Sequence, residues 1–221
     1  MKVLALETAN EQCSVCVVDE TQELFFQLDT RAKAQTQTIL PMIEAAYQQL
    51  SIESADLTAI AFSRGPGSFS GVRINAAVTQ ALAWANDIPV VAVSTLQALA
   101  QAAYRLHSLT EVTAVLDARM KEVYIASYRL DAEGIMQAVN EEQLLDYATA
   151  AAQVKFTVVG SGAGLVQADA TAYLDAMPTA QDIAQIARVA AKQQQWVSAE
   201  LALPVYLRDN AWKKIAEQGK P

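Results

Sequence analysis

Gly65-Pro66-Gly67-Ser68-Phe69-Ser70-Gly71 sets three glycines between an apolar run and a helical pattern. That is the context in which the free N–H groups of a helix start bind an anion. The spacing fits no common phosphate or nucleophile frame. A P-loop needs G-x-x-x-x-G-K-[ST], and the segment has no lysine. The dinucleotide fingerprint is G-x-G-x-x-G, whereas this spacing is G-x-G-x-x-x-G. A nucleophile elbow needs G-x-S-x-G; neither Ser68 nor Ser70 has that frame, and His107 is the sole histidine. The residues permit a tight turn, an N-cap from Ser68 or Ser70, and close helix–strand packing. On spacing alone, packing outweighs anion binding.

Cys13 and Cys16 have the C-x-x-C spacing of redox and metal pairs, but they lie in the strand-like run "QCSVCVVD". Residues three apart on a strand point to opposite faces. No second cysteine pair exists to complete a zinc site, so no metal site is expected. A carboxylate-only magnesium site stays open. Its candidates are Glu7 and Asp117, each at the end of an apolar run, where they either face one another across a cleft or cap their own turns.

The elements that must position these residues follow from periodicity. "KVLALET", "QCSVCVVD" and "QELFFQLDT" read as three strands. "TQTILPMIEAAYQQL" carries a helical stripe of Ile39, Met42, Ile43, Ala46 and Leu50, with Pro41 fitting only near a helix start. "LTAIAFS" is a strand, the glycine segment opens the helix "FSGVRINAAVTQALAWAND", and "IPVVAVS" and "STLQALAQAAYRL" add a strand and a helix. Strand, acidic turn and strand recur in "VTAVLDARMKEVYIAS". A helix near Glu141–Ala152, the strand "KFTVVG", the turn "GSGAG" (Gly160, Gly162, Gly164) and a helix over Thr179–Trp196 complete the chain. One βββαβα plan used twice predicts a duplicated α/β protein, with lobes over 1–107 and 108–221.

The chain carries a net charge of −8 and is 52% hydrophobic. It can bury a substantial core, and it lacks the basic character of a free-standing nucleic-acid binder. The tail is aromatic and locally basic, with Arg208, Lys213 and Lys214 beside Tyr206 and Trp212. No run is long and apolar enough for a signal peptide or membrane helix, so a cytoplasmic protein without membrane association is expected.

"SRGPGSFSGVRIN", "DARMKEVY" and "PVYLR", in this order and spacing, resemble the TsaB (YeaZ) family over essentially the whole chain. The resemblance implies an actin-like/Hsp70-like (ASKHA) ATPase fold of two related lobes. It implies a non-catalytic subunit in forming N6-threonylcarbamoyladenosine next to the anticodon of tRNAs reading codons that start with A. The implied partners are a TsaD-like catalytic subunit, a TsaE-like ATPase and, when the chain is alone, a second copy; tRNA is met only through the complex. The catalytic relative has a histidine cluster after the strand equivalent to "IPVVAV", where this chain reads Ser94-Thr95-Leu96-Gln97-Ala98.

ATP-binding relatives have glycine-rich turns after the first strand of each lobe. Here those turns are "ETANEQ" and "DARMKE", so no cofactor is expected beyond a degenerate nucleotide site at Glu7, Asp117, Gly160, Gly162 and Gly164. The chain departs from the family pattern at Glu7, Gln35, Asn75 and Lys121.

The helix after the glycine segment is apolar on two faces: Val72, Ala76, Thr79 and Ala83 on one, Ile74, Val78, Ala81 and Ala85 on the other. One must cover a sheet, and surplus apolar surface points to a partner. Ile39, Met42, Ile43, Ala46, Val72, Ile74, Val78 and Ala81 are the expected interface. Gly65, Pro66, Gly67 and Gly71 form the structural loop beneath it. The reading from a different class is a free-standing ATP-dependent phosphotransferase or ATPase of the same fold.

Overall fold

Every residue of Val3–Glu7 (β1) is buried, as expected of a strand covered on both faces. It pairs antiparallel with Cys13–Val18 (β2), which pairs antiparallel with Glu23–Asp29 (β3). On its other side it runs parallel to Ala59–Ser63 (β4), which is parallel to Val90–Val93 (β5), giving the order β3-β2-β1-β4-β5. The helices Gln35–Leu50 (α1) and Phe69–Asn86 (α2) connect β3 to β4 and β4 to β5, and Thr95–His107 (α3) leads from β5 to a second sheet. In this computed structural model residues 1–170, 172, 173 and 175–208 are described.

The second sheet is built on the same plan. Glu111–Asp117 (β6) pairs antiparallel with Glu122–Leu130 (β7), and both Met136–Ala138 (β8) and Gln143–Asp146 (β9) pair with β7. Tyr147–Ala152 (α4) then leads to Thr157–Val159 (β10), parallel to β6 as β4 is to β1. Ala163–Val166 (α5) and Ala180–Lys192 (α6) follow.

Two local expectations need correction. Glu141–Ala152 divides into β9 and α4, because Leu144 and Leu145 pair across to Tyr124 and Val123. Asp146 then caps α4 by accepting from the Ala148 and Thr149 N–H groups. Pro41 lies well inside α1 rather than at its start. Its side chain is exposed, on the face where water can satisfy the carbonyl that a proline cannot pair.

The core is layered. One face of the first sheet packs on α1 and α2 through Leu4, Leu6, Val15, Val17, Ile39, Met42 and Phe62. The other face packs on α6 through Val3, Ala5, Cys16, Val91, Ile183 and Ala187. The second sheet packs on α3 through Leu96, Leu99, Val112 and Tyr128, and on α4 and α5 through Val115, Ile125, Ala150 and Ala163. Thus α6, from the end of the chain, covers the first sheet, while α3 covers the second.

A bidentate pair between a partly exposed arginine and a fully buried aspartate joins these two central helices. Arg105 donates to both Asp182 oxygens at 2.8 and 3.0 Å, and Asp182 also accepts the Thr179 N–H at the start of α6. Cys13 and Cys16 are free thiols buried on opposite faces of β2, in separate core layers.

Candidate functional site

The glycine segment is held against the turn that follows β1. Ser68 caps α2, its hydroxyl accepting from the Gly71 N–H at 3.4 Å. The Ser68 N–H donates to the Ala9 carbonyl at 2.7 Å, and the Thr8 hydroxyl donates to the Gly71 carbonyl at 2.8 Å. A Cβ on Gly67 would lie 2.5 Å from the Ala9 oxygen, and one on Gly71 2.1 Å from the Thr8 oxygen. Only glycine permits this approach of backbone to backbone. Gly65 has φ +103°, and a Cβ there would meet the Val205 oxygen at 3.0 Å.

The same device recurs in the second lobe. Gly160 has φ +97°; a Cβ on it would meet Leu99 and the Val115 oxygen, and one on Gly162 would meet Val115 and Leu116. The Gly162 N–H donates to the Val115 carbonyl, and the Ser161 hydroxyl accepts from the Asp117 N–H at 3.2 Å. Gly164 has open space around it.

A nucleotide phosphate does not fit the first-lobe turn. Carbonyl oxygens of Thr8 and Ala9 occupy the space that the glycines open, and a carboxylate lies directly below. Glu7 is fully buried at the end of β1. Its Oε1 accepts the Ala9 N–H at 2.5 Å, and its Oε2 is buried without a hydrogen-bond partner among the described residues. Asn75 ties this network to α2, donating to the Leu6 carbonyl at 3.1 Å and to the Ser63 Oγ at 2.8 Å. Burial pushes the Glu7 carboxyl up to about 7. Asp117 instead caps its own turn, accepting the Arg119 N–H at 2.8 Å and pairing with the Arg119 guanidinium at 3.0 Å. No hydrogen bond joins Glu7 to Asp117 among the described residues. Nor does any group of three or more histidine, cysteine, aspartate or glutamate side chains there form a metal site.

The expected interface residues divide. Ile39, Met42, Ile43, Ala46 and Val72 are buried in the core of the chain itself, so they are not surface. The α1 stripe covers the sheet, the first requirement of any amphipathic helix. Ile74 and Val78 are half-buried and Ala81 is exposed. With exposed Ala77 and with Trp84 (70% exposed), they form a continuous apolar strip along α2. Leu40 on α1 is 56% exposed. Ala77 and Trp84 lie outside the expected set, although their three-residue spacing from Ile74 and Ala81 was an available signal; Leu40, on α1, had none of that kind.

At the start of α2 the Arg73 guanidinium lies 3.3 Å over the Phe69 ring and 5.3 Å from that of Tyr206. The segment leading to the tail crosses from lobe to lobe. The Val205 N–H donates to the Arg64 carbonyl, and Arg208 donates to the Ala118 carbonyl and pairs with Glu122 at 2.5 Å. The charge of Arg208 is therefore matched within the fold. Trp212, Lys213 and Lys214 lie outside the described residues. The His107 ring packs tilted by 58° against Tyr173, with centroids 4.9 Å apart, and its Nε2 lies 3.6 Å from Asp175. No helix among the described residues is long and apolar enough to cross a membrane.

A family model described as TsaD, tRNA N6-adenosine threonylcarbamoyltransferase, matches residues 29–161. The Escherichia coli (strain K12) tRNA threonylcarbamoyladenosine biosynthesis protein TsaB is 38% identical, with 97% of this chain and 98% of that protein covered. The chain belongs to the TsaB family. The TsaB protein of Haemophilus influenzae is 34% identical, with 97% of each chain covered. The solved structure described as YeaZ from Pseudomonas aeruginosa superposes with a TM-score of 0.84 at 35% identity, covering 93% of this chain and 99% of that one. The fold is that of the TsaB family, α/β with the two related lobes of the ASKHA class.

Proposed function

We propose that the chain acts in forming N6-threonylcarbamoyladenosine in tRNA as a non-catalytic subunit. It docks on a TsaD-like catalytic subunit through the α2 strip of Ile74, Ala77, Val78 and Ala81, with Leu40 of α1 beside it. The observation that carries this reading is that strip, an apolar helix face on which Ile74 and Val78 pack partly against the chain's own core while Ala77 and Ala81 stay exposed. The names of the TsaB relatives support the pathway. The closed glycine turn supports a subunit that does not itself handle a nucleotide phosphate. A TsaE-like ATPase works with the assembled pair, and a second copy covers the strip when the chain is alone. The net charge of −8 favours meeting tRNA only through the complex, and the reading places the protein in the cytoplasm.

The test is co-purification with the TsaD-like protein of the same cell, followed by a modification assay in which each component is omitted in turn. Modified adenosine is expected only with the complete set. Product from this chain alone would overturn the non-catalytic reading, and magnesium-dependent ATP turnover by it alone would favour the phosphotransferase reading.

A further inference from the structure

We propose that the groove between the C-terminal end of α2 and residues 196–200 docks a lysine- or arginine-bearing segment of a partner protein. The groove shares Trp84 with the α2 strip, but the proposal depends neither on what docks on Ile74, Ala77, Val78 and Ala81 nor on the pathway.

The groove has a volume of about 540 Å³ and is walled by Trp84 and Asp87 on one side, and by Trp196 and Glu200 on the other. Residues 196–200 are fixed there because Val197 exchanges two 2.8 Å backbone hydrogen bonds with Val90, extending the sheet beyond β5. Three features make the groove complementary to a cation. First, Asp87 and Glu200 form no ion pair among the described residues, whereas Asp29, Asp117, Glu122, Glu142 and Asp182 are matched by arginines.

Second, the 18-residue α2 ends at the groove with no basic residue in its last turn, whereas α3 carries Arg105 and His107 there and α6 carries Lys192. The Asn86 amide donates to the Leu82 carbonyl there, but among the described residues no cation faces the negative end of the helix dipole, and Asp87 adds to it. Third, two indole rings flank the carboxylates, and indole faces are the strongest side-chain partners for guanidinium and ammonium groups. Among the described residues no lysine or arginine lines the groove. A nucleic acid is repelled by these carboxylates. A second copy with a net charge of −8 brings mostly acidic surface, so a basic protein segment is the occupant.

The test uses the full chain, labelled so that its tryptophan indole N–H signals can be followed. It is titrated with a blocked peptide of three arginines spaced by alanine, and with the same peptide carrying glutamates. The arginine peptide is expected to shift the Trp84 and Trp196 signals, and the glutamate peptide to shift neither. The double variant Asp87→Asn/Glu200→Gln and the exposed-site variant Trp84→Ala should each weaken binding about tenfold. The remote-acid variant Glu133→Gln should not weaken it. Equal weakening by Glu133→Gln would reduce the effect to diffuse attraction and overturn the proposal. So would unshifted indoles, or tighter peptide binding by a chain cut after Arg208, which would make the groove the seat of the chain's own tail. A single-stranded oligonucleotide shifting the same indoles would also overturn it.

Discussion

Gly71→Ala tests whether the glycine segment exists to let backbone meet backbone. In an ordinary helix this change stabilises by about 1 kcal/mol, because alanine is the better helix former. Here the new Cβ would stand 2.1 Å from the Thr8 oxygen, 3.1 Å from its carbonyl carbon and 3.2 Å from the Ala9 Cα, inside the 3.4 Å at which ordinary contact begins. All three are backbone atoms, so no rotamer change relieves them. Overpacking of this kind costs about 2–3 kcal/mol. Separating the two elements also stretches the Thr8-to-Gly71 and Ser68-to-Ala9 hydrogen bonds, each worth about 1 kcal/mol. Offset by helix propensity, the net loss is about 3 kcal/mol, a fall in Tm of about 6–12 °C for a protein of this size. Gly164→Ala is the control: it has open space and lies in α5, so it should be neutral or gain up to about 1 kcal/mol. Urea unfolding followed by circular dichroism measures both. A Gly71→Ala protein as stable as the parent would refute the packing account and reopen the turn as an anion site.

Three further outcomes follow from the geometry. Ala81→Glu should keep stability within about 0.5 kcal/mol, because the site is exposed, yet abolish co-purification with the TsaD-like protein; Met42→Glu, only 4% exposed, should unfold the chain instead. Glu7 is held near 7 in the folded state, above its unfolded value, so it contributes stability that is full at low pH and falls as the unfolded chain ionises. Stability should drop by about 3 kcal/mol between pH 4.5 and 7 and level off above, and Glu7→Gln should flatten that slope in a pH series of denaturation midpoints. Arg208→Ala removes the tie from the tail segment to Glu122 and Ala118 and should lower stability by about 1 kcal/mol, read from the urea midpoint at unchanged m-value.

The sequence by itself determined the order of most elements, because each was signalled by its own neighbours. Of the two serines that could cap α2, Ser68 and Ser70, it is Ser68 whose hydroxyl accepts an N–H there. The period of two placed Cys13 and Cys16 on opposite faces of β2, where separate core layers take them up. The two faces of α2 were also legible: Val72, Ala76, Thr79 and Ala83 are buried, while Ile74, Val78, Ala81 and Ala85 are half-buried or exposed.

What covers a face was not legible, because periodicity reports that a surface is apolar and not what meets it. The stripe of Ile39, Met42, Ile43 and Ala46 therefore read as interface, and the tertiary structure assigns it to the chain's own sheet. The same limit hid the crossing of α6 to the first sheet and α3 to the second. The glycine segment showed it most sharply. Its spacing said that something must approach closely, and only the fold decided that this was the backbone of Thr8 and Ala9, brought there by the parallel pairing of β1 with β4.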